Sequence, residues 1–211
     1  MRVPSREEWR EALVEKQGAA VVEKLQRSTV AVCGLGGLGS NIAVSLARAG
    51  VGKLILIDFD RVEITNLQRQ QYKFLQVGKT KAEALAENLR EISPYVEYEP
   101  HVERITAENA AALVGAADVV CEAFDNAQAK AMLVDTVLGS FNNKFLVAAS
   151  GMAGYNSTND IKTRKVGKRF YLCGDAVSEV NDAIGLIAPR VALCAAHQAL
   201  MAIRLLCGME E

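Results

Sequence analysis

The sequence lacks an excess of charge of either sign, since 24 Lys and Arg residues stand against 25 Asp and Glu residues in 211. A formal net charge of −1 gives no general attraction to nucleic acid or to an anionic membrane surface. No apolar segment follows a basic start, and the apolar stretch near the carboxyl end is interrupted by Pro189, Arg190 and His197. We therefore expect no secretion signal, no membrane span and no nucleic-acid partner.

The sequence also lacks paired cysteines. Its five cysteines are odd in number, and no two of them form a C-x-x-C pair. This usage is typical of a reducing compartment and predicts a cytoplasmic protein. A hydrophobic content of 50% over 211 residues is enough for one α/β domain with a complete core, so we expect a single domain over residues 1–211.

A strand, a glycine-rich turn and a helix are predicted in succession. Residues 30–33 are an apolar run with β-branched side chains, residues 34–39 read Gly-Leu-Gly-Gly-Leu-Gly, and residues 40–49 suit a helix. Residues 53–58 then resemble a buried parallel strand that ends in Asp58, about 20 positions after the last glycine. A carboxylate there can hold ribose hydroxyls, so this segment predicts a nucleotide site.

The glycines of this turn have separate tasks. Gly36 and Gly37 would let the main chain approach phosphate closely, while Gly39 would let the helix pack tightly on the strand. Unpaired N–H groups at the helix start would face the anion. The turn is not a Walker loop, because Ser40 and Asn41 stand where Lys and Ser/Thr would be needed. Any lysine that binds phosphate must therefore lie elsewhere.

The polar segment from Asp58 onward distinguishes between nucleotide enzymes. Residues 58–70 read Asp-Phe-Asp-Arg-Val-Glu-Ile-Thr-Asn-Leu-Gln-Arg-Gln. They closely resemble the Asp-x-Asp-x-Val-x-x-x-Asn-Leu-x-Arg-Gln segment of the ubiquitin-activating-like adenylyltransferase superfamily, ThiF/MoeB type. The resemblance covers most of the chain, and residues 151–208 are similar to the short ThiF-like group that lacks zinc-binding C-x-x-C pairs.

The resemblance implies an enzyme that adenylates the C-terminal carboxylate of a ubiquitin-like sulfur carrier ending in Gly-Gly, for thiamine thiazole biosynthesis. It further implies a homodimer, the use of ATP and Mg²⁺, and no bound zinc. A carboxylate is already anionic at neutral pH, so this reaction needs alignment and charge compensation rather than a general base. Nucleotide-binding roles are implied for Gly36, Gly37, Gly39, Asp58, Asp60, Asn66, Arg69, Gln70 and Lys81, and a Mg²⁺-binding role for Asp125.

Lys81 has support beyond the resemblance. It follows Gly78 in the Gly-x-x-Lys setting where the superfamily has an ATP-binding lysine, and it precedes a predicted helix over residues 82–92. A cation at a helix start is unfavourable unless an anion offsets it. This favours a phosphate role for Lys81 over Lys79, with a solvated surface lysine as the alternative.

Two further residues have implied catalytic roles with open alternatives. In the sulfur-carrier enzymes an arginine near the amino end reaches the neighbouring subunit's ATP, and ungapped counting places Arg10 there, with Arg6 as the substitute and a solvated helix face as the alternative. Thiamine-pathway members use a cysteine beyond the sheet to bind the activated carrier covalently. Cys173 is the one cysteine in a predicted loop, and a structural thiol is its alternative role.

The predicted fold is α/β, a Rossmann-like and mostly parallel sheet flanked by helices. Residues 1–28 form a helical arm, and residues 150–211 form a small antiparallel extension facing the carrier, followed by a final helix. Three functions compete with the preferred one. The first is a superfamily member that acts on a molybdopterin-type carrier, on a tRNA base or on another carboxylate. The second is a protein that binds a carrier without catalysis. The third is an NAD-dependent oxidoreductase, which would have no evident use for Asn66, Arg69 and Lys81.

Overall fold

A seven-stranded sheet organises the chain in a computed structural model that describes residues 2–181 and 183–210. The strand order is β3-β2-β1-β4-β5-β7-β6, and neighbouring strands are parallel except for β6 and β7. This confirms the predicted Rossmann-like, mostly parallel architecture. The strands are β1 (Thr29–Cys33), β2 (Lys53–Ile57), β3 (Glu97–His101), β4 (Val119–Glu122), β5 (Phe145–Ala149), β6 (Lys162–Gly167) and β7 (Phe170–Gly174).

Helices cover both faces of the sheet and begin where the sequence provides caps. Ser5 accepts a hydrogen bond from the Glu8 N–H at the start of the first helix, and Asn126 does the same for the Ala129 N–H at the sixth. Gly18, with φ of 85°, separates the first two helices. The helices are α1 (Arg6–Gln17), α2 (Ala19–Gln26), α3 (Gly37–Ala49), α4 (Lys81–Ile92), α5 (Ala110–Leu113), α6 (Ala127–Ser140) and α7 (Ala188–Leu206).

The core lies on both faces of the sheet because the central strands are largely apolar, apart from Thr29, Lys53 and Glu122. In β1, Val30 and Val32 face the cluster that includes α3, α4 and α7, while Ala31 and Cys33 face the cluster under α5 and α6. Strands buried on both faces are typical of parallel sheets covered by helices. This packing holds the carboxyl ends of β1, β2, β4 and β5 at one edge of the molecule.

The predicted small antiparallel extension is confirmed as the pair β6 and β7, and β7 also pairs in parallel with β5, so that the extension continues the main sheet. Cys173 therefore lies within β7, opposite Ala149, and its side chain is fully buried. The expectation that Cys173 lies in a loop is wrong, because strand pairing extends through Gly174.

Within residues 2–181 and 183–210, no helix combines the length and apolarity needed to cross a bilayer.

Candidate functional site

A cavity of about 660 Å³ opens at the carboxyl ends of the central strands, where parallel sheets commonly bind ligands. Two sets of lining residues differ in chemistry, and we name them the charged wall and the apolar wall. The charged wall follows β1, β2, β3 and β4, and its charged members are Asp58, Asp60, Arg61, Glu63, Arg69, Lys81, Glu103, Arg104, Asp125 and Lys130. The apolar wall follows β5 and reaches α7, and consists of Ala149, Ser150, Gly151, Met152, Val180, Leu186 and Val191.

The glycine turn forms the floor between β1 and α3. A Cβ on Gly39 would lie 1.8 Å from the Gly34 carbonyl oxygen, so only glycine permits this approach of helix to turn. Gly34 has φ of 89° and also requires glycine. Gly36 and Gly37 line the cavity at the start of α3, whose first N–H groups receive no side-chain cap. The turn thus offers main-chain donors and a helix dipole to an anion, as the spacing predicts.

Asp58 fixes the shape of this turn. One of its carboxylate oxygens accepts from the Leu35 N–H at 2.6 Å and the other from the Asp60 N–H at 2.8 Å. The residue is only 8% exposed, although it lines the cavity. Burial raises the pKa of the Asp58 carboxyl, and the Lys81 ammonium and the two N–H donors oppose that rise. Asp58 therefore joins the end of β2 to the glycine turn while remaining at the cavity surface.

Lys81 is the first residue of α4 and lies in the cavity, as expected, with its Nζ 2.9 Å from Asp60 Oδ2. Its side chain is 9% exposed, so the acidic partner compensates a cation held at the unfavourable end of a helix dipole. Lys79 is instead half exposed and pairs with Glu87 at 2.8 Å, outside the cavity lining. The geometry therefore favours Lys81 over Lys79.

The segment between β2 and α4 brings Asn66, Arg69 and Gln70 to the same wall. Asn66 accepts from the Glu63 N–H at 3.0 Å and so closes a short 3₁₀ turn. Arg69 Nε and Gln70 Oε1 are buried without a hydrogen-bond partner among the described residues. Buried polar atoms in folded proteins are almost always paired. These two atoms therefore indicate where a polar ligand would complete the site.

Asp125 follows the end of β4 and lies exposed in the cavity lining. Its neighbour Asn126 caps α6, with its Oδ1 2.9 Å from the Ala129 nitrogen, so that side chain has a structural task. No group of three or more His, Cys, Asp and Glu residues that could hold a metal occurs in the described parts of the chain. Mg²⁺ commonly takes one or two carboxylates together with substrate phosphates, so Asp125 beside a phosphate fits such an ion.

A buried ion pair at the junction of the two walls was not predicted from the sequence. Lys130 Nζ lies 3.0 Å from each Glu122 carboxylate oxygen and 3.1 Å from the Ala149 carbonyl oxygen. Glu122 is fully buried, and burial raises the pKa of its carboxyl against the effect of Lys130. An acid inside the otherwise apolar strand β4 is the signal that could have revealed it.

Two other features were also missed. The Arg104 guanidinium lies 3.8 Å from the centre of the Phe59 ring at the cavity mouth, a cation–π contact between the segments that follow β2 and β3. Behind the apolar wall, Asp175 and Arg190 form a second buried ion pair. The pair joins the segment after β7 to the first turn of α7, so local pattern gave no signal for it.

Four predicted site residues do not line this cavity, and one of them, Gly39, instead packs α3 against the glycine turn. Arg10 and Arg6 are exposed on α1, and Arg6 borders a different cleft at the amino ends of β1, β2 and β3. Cys173 is buried in β7, with its Sγ 3.5 Å from Thr163 Oγ1. A covalent role for Cys173 remains a prediction that requires its strand to open, and a role for either arginine remains a prediction about a neighbouring subunit.

Comparison with known proteins identifies relatives of the whole chain. The ThiF family model matches residues 9–211. The adenylyltransferase and sulfurtransferase uba4 of Aspergillus terreus is 32% identical over 216 aligned residues, which cover 96% of this chain and 44% of the relative. Its namesake UBA4 of Lodderomyces elongisporus is 30% identical over 206 residues, covering 94% and 45%. The chain thus spans less than half the length of these curated relatives.

Solved structures support the architecture. The tRNA N6-threonylcarbamoyladenosine dehydratase TcdA of E. coli, crystallised with ATP, superposes with a TM-score of 0.87 at 23% identity, and the match covers 98% of each chain. At this identity the likeness concerns the fold. MccB of E. coli, crystallised with succinimide, matches with a TM-score of 0.71 at 26% identity, covering 92% of this chain and 60% of MccB.

Proposed function

The chain belongs to the ThiF family of the ubiquitin-activating-like superfamily, and from that premise we propose that it transfers AMP from ATP to the terminal carboxylate of a carrier protein. The observation that carries the proposal is the charged wall, where Arg69 and Lys81 line one cavity with an uncapped helix start. The unpartnered buried atoms of Arg69 and Gln70 support a polar ligand there. A nicotinamide-dependent dehydrogenase would leave this cationic cluster without a task.

In this proposal the triphosphate lies along the glycine turn. The N–H groups at the start of α3, at Gly36 and Gly37, would donate to phosphate oxygens, and Arg69 and Lys81 would offset their charge. Lys81 would then exchange part of its contact with Asp60 for contact with phosphate. Asp58 would accept from ribose hydroxyls, because its carboxylate remains at the cavity surface at the end of β2.

The reaction requires few chemical groups from the protein. A carboxylate oxygen of the carrier bonds to the α-phosphorus of ATP, the bond from that phosphorus to the bridging oxygen breaks, and pyrophosphate leaves with the electron pair. No proton is transferred, so the reaction needs no general base. Arg69 and Lys81 would stabilise charge as it moves to the leaving group, and the rigid turn would hold the reacting atoms in line.

Asp125 is the residue that would hold Mg²⁺ in the proposed complex. Its carboxylate lies in the cavity at the end of β4 and has no other structural task in the fold, since Asn126 provides the cap of α6. The bound ion would offset the negative charge of the phosphates. Asp125 would hold that ion on the side of the cavity next to α6.

We propose a ThiS-like sulfur carrier of thiamine biosynthesis as the acceptor, because residues 151–208 are similar to short ThiF-like proteins without zinc pairs. We also propose a homodimer in which Arg10 or Arg6 of one subunit reaches the nucleotide of the other. Both arginines are exposed on α1 and contribute nothing to the cavity of their own chain, which supports a role across an interface.

ATP–pyrophosphate exchange tests this function. We expect exchange in the presence of a carrier ending in Gly-Gly and none when its last two residues are removed, since the acceptor carboxylate is then misplaced. If a molybdopterin-type carrier supported faster exchange than the ThiS-like carrier, the proposed pathway would change and the proposed adenylylation would stand. Exchange that requires tRNA would replace the carrier by a nucleic-acid acceptor. No exchange with any acceptor, despite ATP binding, would contradict the proposed enzyme.

A further inference from the structure

The apolar wall has a chemistry suited to an uncharged chain end. None of its residues carries a charge, and the part next to β5 consists of the small residues Ala149, Ser150 and Gly151. Small side chains leave room beside this strand end for an extended chain end that itself has little or no side chain. Met152 and Val191 add apolar surface beside them, and Val191 Cγ1 approaches Gly37 of the glycine turn. The apolar wall thus directly adjoins the proposed phosphate site.

A buried ion pair lies behind this wall and does not itself line the cavity. Arg190 Nη2 lies 2.5 Å from Asp175 Oδ2, and the two side chains are 4% and 3% exposed. The other terminal nitrogen of Arg190 donates to the carbonyl oxygens of Asn156 and Ser157, at 2.5 and 2.8 Å. Arg190 belongs to the first turn of α7, so the pair ties the rigid helix to two loops.

Asp175 connects those loops to the wall itself. Its Oδ1 accepts from the N–H groups of Val177 and Ser178, at 2.9 and 2.8 Å. Its own N–H donates to the Gly151 carbonyl oxygen at 2.9 Å, and the next N–H donates to Ser150. Burial alone would raise the pKa of Asp175, but these N–H donors and Arg190 lower it to about 2, so the carboxylate stays ionised at neutral pH.

The backbone at this corner is under strict geometric limits. A Cβ on Gly151 would lie 2.0 Å from Asp175 Oδ1, and a Cβ on Gly174 would lie 1.9 Å from the Ser150 carbonyl oxygen. Ala176 has φ of 65°, which non-glycine residues adopt only where their surroundings hold them. Strained backbone of this kind clusters at ligand-binding segments. The ion pair between Asp175 and Arg190 holds this backbone in place.

We propose that Asp175 and Arg190 are positioning residues, which fix the apolar wall so that it receives the uncharged terminal residues of the acceptor beside the α-phosphate. The inference rests on the proposed adenylylation and adds the residues that position its second substrate. Because none of the pair's hydrogen bonds reaches a residue of the charged wall, loss of the pair should weaken use of the carrier while the charged wall still binds the nucleotide. A purely structural role would lower both together.

The test separates the two substrates kinetically. Both variants roughly keep the side-chain volume. Arg190→Lys loses the planar guanidinium group, and Asp175→Asn loses the negative charge. We expect the KM for the Gly-Gly carrier in pyrophosphate exchange to rise about tenfold or more, since small misplacements of a reacting group have effects of this size. Calorimetric affinity for α,β-methylene-ATP should stay within about twofold, because the charged wall is intact.

Two further variants keep the test decisive if the ion-pair variants fold poorly. Val180→Asp places a charge on a wall residue that is 59% exposed, where folding tolerates it, and should raise the carrier KM without changing nucleotide affinity. Arg169→Lys is the matched control, because Arg169 also donates to two backbone carbonyl oxygens, at 2.9 and 3.1 Å, but away from the cavity. Its carrier KM should not change.

Two results overturn the inference. One is an unchanged carrier KM in folded Asp175, Arg190 and Val180 variants, and the other is a parallel loss of nucleotide affinity. Failure of the proposed function looks different, since the wild-type protein would then show no carrier-dependent exchange at all, and the inference would fall with it.

Discussion

The two walls of the cavity are built in different ways, although they meet within one site. The charged wall takes its side chains from segments that follow strand ends of the parallel sheet, such as residues 58–70. The apolar wall depends on a side-chain pair behind it, between Asp175 after β7 and Arg190 in the first turn of α7, 15 residues further along the chain. The charged side chains are therefore placed by their own strand ends, whereas the shape of the second half of the site depends on a contact between two elements.

The walls also differ in how complete they are. Arg69 and Gln70 leave buried polar atoms without partners among the described residues, as expected of groups that a ligand satisfies. Behind the apolar wall, Asp175 has donors on both of its carboxylate oxygens, and neither it nor Arg190, whose Nε is also buried without a partner among the described residues, lines the cavity. The comparison suggests that one wall binds and the other orients. Four perturbations test this division, in order of decreasing effect.

Arg69→Ala should have the largest effect, a loss of about a thousandfold in pyrophosphate exchange, by analogy with arginines that clamp phosphoryl groups. The reason is the loss of a cation beside the proposed leaving group, and the fold should be unaffected. Arg27→Ala is the control, since Arg27 is 79% exposed and pairs with Glu23 on α2. An Arg69→Ala protein with normal exchange would remove the charged wall from the mechanism.

Lys130→Met should chiefly affect stability, because it leaves the Glu122 carboxylate buried and unpaired at the junction of the walls. Breaking a buried pair in this way costs roughly 3–5 kcal/mol of unfolding free energy, measurable by urea denaturation. Adding Glu122→Met should recover much of that loss. Lys73→Met, which breaks an exposed pair with Glu91, should change the unfolding free energy by less than about 1 kcal/mol. Equal losses in both lysine variants would contradict the buried-pair interpretation.

The Asp175 carboxyl should make the apolar wall sensitive to acid. Its pKa is about 2 in the folded protein against an ordinary value of 3.8, so the folded state binds this proton less readily than the unfolded state. The resulting stability, roughly 2 kcal/mol, is present above about pH 4 and is lost as the pH falls towards 2. Unfolding free energies of the wild-type and Asp175→Asn proteins should therefore converge over that interval. A difference that is constant with pH would show that Asp175 is not the responsible group.

The division between the walls also explains what the sequence could predict. Parallel strand ends gather at one edge of a sheet, so a motif after β2 was sufficient to place Asp58, Arg69 and Lys81 in one cavity. The mostly parallel sheet and its buried central strands followed from the same alternation of apolar strands and helices. Local pattern carries this information because each residue is positioned by its own element.

The second half of the site could not be predicted in the same way. The segment Cys173-Gly174-Asp175 resembles a turn, yet pairing of Cys173 with Ala149 keeps it in the sheet. The partner of Asp175 is Arg190, which lies on another element. The two side chains pair because both are buried at the same place in the fold, and no regular spacing in the sequence indicates this. Long-range pairing of this kind has no sequence period, so it becomes visible only in the folded structure.

Arg104→Ala should have the smallest effect and would refine the boundary of the charged wall. The Arg104 guanidinium covers one face of Phe59, which is otherwise 44% exposed, at the mouth of the cavity. An exposed cation–π contact contributes about 0.5–1 kcal/mol, so its loss should raise the KM for ATP about two- to fivefold and leave kcat unchanged. The KM for ATP of Arg104→Lys should lie between those of the wild type and Arg104→Ala. Arg48→Ala, at the exposed end of α3, should have no effect on it. A change in kcat would instead assign Arg104 to the reacting phosphates, and an altered carrier KM alone would move it to the acceptor side of the cavity.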